Sequence, residues 1–521
     1  MRLLRPLPRS ITRPASYAIV FAWVGCMAVM INRAYLQASP GALSANLAQY
    51  GPTAVWHGVY YRGEKIGFTV RQTTRFEHGF RIQEDGQLQM SLLGATTAAM
   101  MKTTAEVDRE FALMAFEFSL DPGTGAIAIR GKVERPSPAS DVRRLTVDIT
   151  SGGVSRQQVI DLPEVPTLNL NFSRILANSG LVPGARHEWT MFDPATLTNA
   201  PVEAVVGSRG IVRAGSTNVP AFRVEMTFKG LRTTAWVTDT GDVVREESPL
   251  GLMTIQEPAE TARRLAVPQR VQTDLLRLSA VVPIMKQRID EPRDVRRLRF
   301  RLTGADLSHP DLQGVGQTIA GDVIDVVDAR SLVPGAPDPD AAKHARPEPL
   351  IESDAPEILA EAEAAVAGVT GIRAKAERLT RHVNAILDKK PTVSLPSARE
   401  VLRTRVGDCN EHTALYVALA RALGIPARIA VGLAYVRGIQ GAFYYHAWPE
   451  VYLEEHGRGL WLPVDPTFNQ FPADATHVRL ARGGLDQQAA ILPMIGRLRM
   501  DVLDVELGAG ATPILVGRGS P

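Results

Sequence analysis

"RVGDCNEHTALYVALARALGIPARIAVG" (residues 405–432) contains Cys409, and the only other cysteine of the chain is Cys26. Asp408 suits the N-cap of a helix. Glu411, three residues on, completes a capping box that satisfies two of the first free backbone N–H groups. Ala414, Leu415, Ala418, Leu419, Ala422 and Leu423 recur at helical spacing and predict one apolar face. Gly424, succeeded by Ile425 and Pro426, predicts the stop. Cys409 therefore stands at the first helical position, where aligned peptide dipoles favour a thiolate. The Asp408 carboxylate opposes that ionisation, so a reactive thiol here requires a histidine partner. Taken alone, a free cysteine is more commonly a small buried hydrophobe. The residues downstream decide between a reactive and an inert thiol.

There, "ARIAVGLAYV" predicts a strand, "RGIQGA" a turn, "FYYHAWPEVYL" a second strand, "EEHGRG" another turn and "LWLPVDPTF" a third strand. His446 falls mid-strand and Asp465 at the end of the next strand. The polar turn is centred near residues 456–457, which places the two within about one pair of each other across the ladder, on a shared face. Singly, each has a bland reading: a histidine in an aromatic strand is structural, and an aspartate before proline is a turn residue. Together, a helix-N-terminal thiol, an imidazole and a carboxylate fit acyl transfer through sulfur. The carboxylate would hold the ring tautomer and the other ring nitrogen would face the thiol.

These stretches, "GDCNEHTALYVALARALGIPARIAVG", "HAWPEVYL" and "WLPVDPTF", resemble the core of the transglutaminase-like superfamily, relatives of papain in fold. The resemblance is concentrated in residues 405–470 and, with the preceding helices, spans 350–485. It implies that Cys409 is the nucleophile, His446 the general base and acid, and Asp465 the residue that orients the histidine. No calcium loop of the D-x-[DN]-x-[DN]-G type occurs, and no flanking immunoglobulin-like pair can be defined. Calcium activation and protein crosslinking are therefore not carried over, and no cofactor is expected. The backbone N–H of Cys409 is a natural oxyanion donor; the sequence does not identify a second. Water is preferred to an amine as acceptor, because amine selectivity needs a water-poor channel that the sequence does not reveal. Two rivals remain. One is a non-catalytic envelope binding or scaffold protein using the same core. The other is a metal site of Cys409, His412 and His446, disfavoured because His412 is expected to leave the first helical turn away from the catalytic face.

The chain is expected to be α+β, with this papain-like, transglutaminase-like core at its C-terminal end. Its 521 residues imply two to three domains. A net charge of +3 without a Lys/Arg block gives no electrostatic footprint for nucleic acid. Residues 1–35 read as a cytoplasmic tip and signal-anchor: Arg2, Arg5, Arg9 and Arg13 precede the uncharged stretch Ala15–Ile31, which predicts a membrane helix with the bulk of the chain periplasmic. A cleaved signal or a buried helix are the alternatives. Residues 50–258 alternate in short strands with glycine turns and predict an antiparallel β-rich sandwich or barrel-like domain; Trp56, His57 and Tyr60 are read there as packing residues. Residues 259–349 read as a mixed β segment that closes on a proline-rich linker at 332–349. Asp354 is taken as the cap of the first helix of the 350–485 core, and 486–521 as a C-terminal strand and tail. The expected partners are a peptide or protein substrate in the cell envelope and the membrane; the oligomeric state is left open.

Overall fold

The computed structural model of the chain describes residue 47 and residues 50–508 and 514–515. Excepted are the stretches 93–94, 122–125, 136–141, 152–153, 163–165, 195–197, 216, 249–250, 265–279, 308–310, 391–396, 439–440, 485–486 and 488–490. The expected membrane helix at Ala15–Ile31 lies outside the described residues. Among those described, no helix is long and apolar enough to cross a membrane.

Between Val55 and Gln256, fourteen strands form one antiparallel sheet. Alternating burial along them, as in Arg143–Ser151, reflects the two-residue repeat of a half-buried strand. Tight turns set the register: Arg62–Gly63 and Lys229–Gly230 have positive φ at both positions, the geometry that suits two-residue hairpins in a right-twisted sheet. The first strand, Val55–Tyr61, pairs with both Glu64–Phe76 and Leu252–Gln256 and so lies mid-sheet; Val154–Leu162 and Arg186–Asp193 are the edges. A flat sheet would hold Leu113–Asp121 some ten strand spacings, about 48 Å, from Arg186–Asp193. Instead the rings of Phe116 and Phe192, one from each of those strands, lie 5.5 Å apart. The sheet is therefore rolled and barrel-like. Residues between the edge strands fill it: Leu168 and Leu170 pack with one half, and Phe172 and Leu176 of the short helix Phe172–Ser179 pack with the other.

The segments at 259–349 and 486–521 share a sheet. Arg499–Leu507 pairs with Val295–Thr303, which pairs with Val323–Val327 and through it with Gln317–Ala320. This sheet shares a core with the C-terminal domain, where Leu298, Phe300 and Val326 meet Leu433, Phe443 and Val478. Part of the proline-rich stretch at 332–349 is strapped down: Gly335 bridges Gly459, and Asp338 accepts a hydrogen bond from Trp461 Nε1 at 2.7 Å.

The C-terminal domain has a four-stranded antiparallel sheet, in the order Arg458–Pro463, Ala442–Glu455, Ala427–Val436, His477–Arg482. Four helices, Pro356–Ala365, Ile372–Ile386, Ala398–Thr404 and Cys409–Ala422, build its other core. Asp354 does not cap the first of these: the N-cap is Ala355, with Pro356 opening the helix, and Asp354 pairs instead with Arg156 of the rolled sheet. The helix that begins at Cys409 is buried all round from Glu411 to Arg421, not along one face. It is the axis of the domain, with helices on one side and the sheet on the other, and an enclosed helix has no solvent face. It ends as expected. Gly424 has φ +72°, and Ile425 N–H reaches back to Ala420 O at 2.9 Å.

Candidate active site

The capping box forms: Asn410 N–H donates to Asp408 Oδ1 at 2.9 Å, and Asp408 N–H donates to Glu411 Oε2 at 2.8 Å. Gly407 makes room for it, since a Cβ there would run into the Glu411 side chain. Cys409 opens the helix, partly buried. Its sulfur takes a hydrogen bond from the Ala447 backbone N–H, which sets it beside the residue after His446. Burial, then the Asp408 carboxylate, push the thiol well above its ordinary pKa, and the Ala447 N–H works against them. No hydrogen bond joins the sulfur to His446; such contacts commonly tighten only with substrate in place.

The strand hairpin Ala442–Glu455/Arg458–Pro463 turns at His456–Gly457, both at positive φ, with Glu455 opposite Arg458. That register carries Asp465 two residues past Pro463, which faces Glu450, onto the same side as His446. His446 Nε2 and Asp465 Oδ2 are 2.9 Å apart, both residues buried. Phe468 N–H donates to Asp465 Oδ1 at 2.9 Å, and the Phe468 ring stacks on the His446 imidazole at 4.7 Å. Trp448 lies on the same strand, its ring 6.1 Å from that of His446.

His412 does not join the ligand arrangement weighed for it. Its Nδ1–H donates to Asp408 O at 2.6 Å, while Nε2 is buried without a partner, and burial lowers its pKa. The trio Cys409, His412 and His446 is not gathered as a ligand set. Among the described residues, the group of this kind whose ligand atoms lie within 4.8 Å of one another is His446, Asp465 and His477. In it both ring Nε2 atoms are engaged with Asp465 Oδ2.

Sequence reasoning missed His477 and Asp474. His477 Nε2 is 3.0 Å from Asp465 Oδ2, and its Nδ1 lies 3.2 Å from Asp474 O and 3.3 Å from Asp474 Oδ1. The only signal in the sequence is a second histidine twelve residues after Asp465, and nothing local says that its strand lies beside Ala427–Val436. Burial alone would raise the Asp465 carboxyl, but the His446 and His477 rings outweigh it and hold the group far below the usual carboxylate range. Burial likewise works against the His477 cation, and its hydrogen bonds to Asp465 and Asp474 overcome that, raising it to about 10. Asp474 falls to about 2 against its own burial, chiefly through His477.

A group whose pKa rises on folding stabilises the fold fully below its unfolded value, and that contribution disappears as pH climbs through the folded one. The melting temperature of the wild type is therefore expected to fall between about pH 6.5 and 10 more steeply than that of a His477→Gln variant. Parallel slopes in thermal scans across that range would contradict this.

Comparison with known proteins agrees with the C-terminal assignment. Residues 360–466 match the family model described as the transglutaminase-like superfamily. No curated protein matches the chain. Among solved structures, a candidate cysteine protease from Cytophaga hutchinsonii is 16% identical, with 43% of this chain and 90% of that one covered and a TM-score of 0.28. A β-barrel-like protein from Brucella abortus is 12% identical, with 39% and 95% covered and a TM-score of 0.30. The periplasmic domain of TgpA from Pseudomonas aeruginosa, bound to ethylmercury, is 19% identical, with 36% and 76% covered and a TM-score of 0.24. These likenesses are too distant to bear on the site.

Proposed function

From the match of residues 360–466 to the transglutaminase-like superfamily model, we propose that this chain is a thiol enzyme that transfers acyl groups from peptide or protein amides through a Cys409 thioester. The observation that carries the reading is the His446–Asp465 pair at 2.9 Å beside a cysteine at a helix N-terminus. Because Asp465 Oδ2 accepts from Nε2–H, the lone pair of His446 sits on Nδ1, and His446 can act as base toward the thiol. The sulfur attacks the amide carbonyl carbon as Nδ1 takes its proton. That proton then passes to the leaving amine as the C–N bond breaks, and water or a second amine resolves the thioester. The Cys409 N–H, which has no carbonyl partner within the helix, is one donor to the oxyanion.

Hydrolysis is the favoured outcome, since no enclosed acceptor channel is evident among the described residues, and a peptide or protein of the cell envelope is the proposed substrate. The proposed location, anchored in the membrane with the bulk outside the cytoplasm, rests on Arg2, Arg5, Arg9 and Arg13 ahead of the Ala15–Ile31 stretch. A mixture of candidate peptides incubated with the protein and a labelled primary amine tests the reaction by mass spectrometry. Hydrolysed or amine-conjugated product that disappears in Cys409→Ala supports thiol acyl transfer, and the ratio of the two identifies the acceptor. Product formation indifferent to Cys409 would sink the reading. A thiol that never reacts would favour the binding or scaffold alternative.

A further inference from the structure

Every carboxyl oxygen of Asp465 and Asp474 has at least one hydrogen-bond partner. Oδ1 of Asp465 takes the Phe468 N–H, and its Oδ2 faces Nε2 of both His446 and His477. Oδ1 of Asp474 takes the Thr476 N–H at 2.9 Å and the Thr476 hydroxyl at 2.6 Å, while Oδ2 takes Gln470 Nε2 at 2.8 Å. Each carboxyl oxygen already faces at least one donor, and these contacts hold both carboxyls below the usual carboxylate range, so both are ionised acceptors. With both carboxyls ionised, the contacts of the His477 ring set its protonation. His477 Nε2 must donate to Asp465, and His477 Nδ1, whose neighbours are the Asp474 carbonyl and carboxylate, must donate as well. A ring that donates from both nitrogens is an imidazolium.

We infer that His477 is a positioning residue of the thiol site: a buried imidazolium, clamped between Asp474 and Asp465, that holds Asp465 oriented on His446 Nε2–H and keeps Nδ1 as the basic nitrogen. The inference rests on the thiol-enzyme reading above. Several features single out the arrangement. His477 is 6% exposed and Asp465 fully buried, and a carboxylate so placed needs a compensating charge. The chain Asp474–His477–Asp465–His446 carries two negative charges and one positive charge while His446 is neutral, and becomes neutral overall when His446 takes the thiol proton. The site is thus balanced for the protonated form of its base. Gly432 lets the strand of His477 approach: it faces His446 on one side and Arg479 on the other, and a Cβ there would strike the Val478 carbonyl.

The titratable groups around His477 are Asp465 and Asp474 from the preceding loop, His446 with its ring centroid 5.8 Å away, and Glu450 and Arg479 along the same small cavity. From the cysteine helix, Cys409 and His412 lie within electrostatic reach of Asp465. Because the His477 cation shares Asp465 Oδ2 with His446, removing its charge strengthens the hold of Asp465 on the protonated form of His446.

The test measures the pH dependence of Cys409 alkylation, mapped to its peptide, in the full-length wild type, His477→Gln, Asp474→Asn and His446→Ala. The expected result is that the acid limb of the alkylation profile moves up by about one pH unit in His477→Gln, with a smaller displacement in Asp474→Asn. A purely structural role would lower stability and leave that limb in place. An unmoved limb in folded His477→Gln overturns the inference, provided His446→Ala still slows alkylation; if His446→Ala has no effect either, the thiol-enzyme reading itself has failed. Should the His477 variant not fold, nitrogen NMR of the histidine-labelled wild type at pH 8 decides the matter. One ring carrying two N–H protons is expected, and only singly protonated rings would overturn it.

Discussion

Cys409→Ser is expected to lower turnover of an activated acyl ester by about 10⁴-fold or more while leaving the fold intact. Cys409 stands at the first position of its helix, and its side chain is one sulfur atom in contact with the Ala447 N–H. A serine hydroxyl fits the same space and the capping box of Asp408 and Glu411 does not involve the side chain at 409, so circular dichroism and melting temperature should stay close to wild type. What changes is chemistry. A hydroxyl is a far weaker acid than a thiol, and in the proposed mechanism an imidazole base cannot ionise it to a comparable degree. Residual catalysis from oxyanion donation and binding remains. Release of the ester's leaving group, tracked by absorbance in both proteins, measures the ratio. A loss below tenfold would mean that another group attacks the acyl carbon.

The second large effect concerns stability. Glu450 lies on the His446 strand, 3% exposed, and accepts from Arg428 Nε at 2.8 Å, Arg479 Nη1 at 3.0 Å and Arg482 Nε at 3.2 Å. Burial alone would raise its pKa, and the three guanidinium groups outweigh that and keep it ionised. Arg479 is itself buried, and Arg428 stacks over the Trp461 ring at 3.8 Å. Glu450→Ala leaves these cations gathered around an apolar side chain. Of the three, Arg482 has a second carboxylate, Asp311, at 2.7 Å. Removing one partner from a buried ionic cluster costs about 3–5 kcal/mol, because the charges left behind are not rehydrated. Urea unfolding monitored in the C-terminal domain should show that loss, and a change under about 1 kcal/mol would mean that water reaches the arginines freely.

Legibility in the sequence tracks the range of the interactions. The capping box at Asp408–Glu411 and the stop at Gly424 are decided within a few residues, and both form as read. The meeting of His446 and Asp465 depends on one hairpin whose turn, His456–Gly457, is visible in the sequence. Pairings across long separations were not legible. The return of Arg499–Leu507 to Val295–Thr303 and the arrival of His477 beside Asp465 both depend on which surfaces meet, whereas the barrel-like form of the sheet at 50–258 is one of the two forms its alternating strands predict. Two local expectations failed for the same reason. Asp354 is drawn from the helix end by Arg156 of the rolled sheet, and the cysteine helix is enclosed on every side because helices and sheet both pack against it.

The proposed chemistry requires His446 to act upon the sulfur of Cys409. The most direct measurement is the rate of iodoacetamide addition to Cys409 near pH 7, resolved from Cys26 by peptide mapping, in the wild type and in His446→Ala. General-base assistance predicts that the wild type reacts about a hundredfold faster. Equal rates in two folded proteins would show that imidazole and thiol do not act together, which rules out the proposed chemistry.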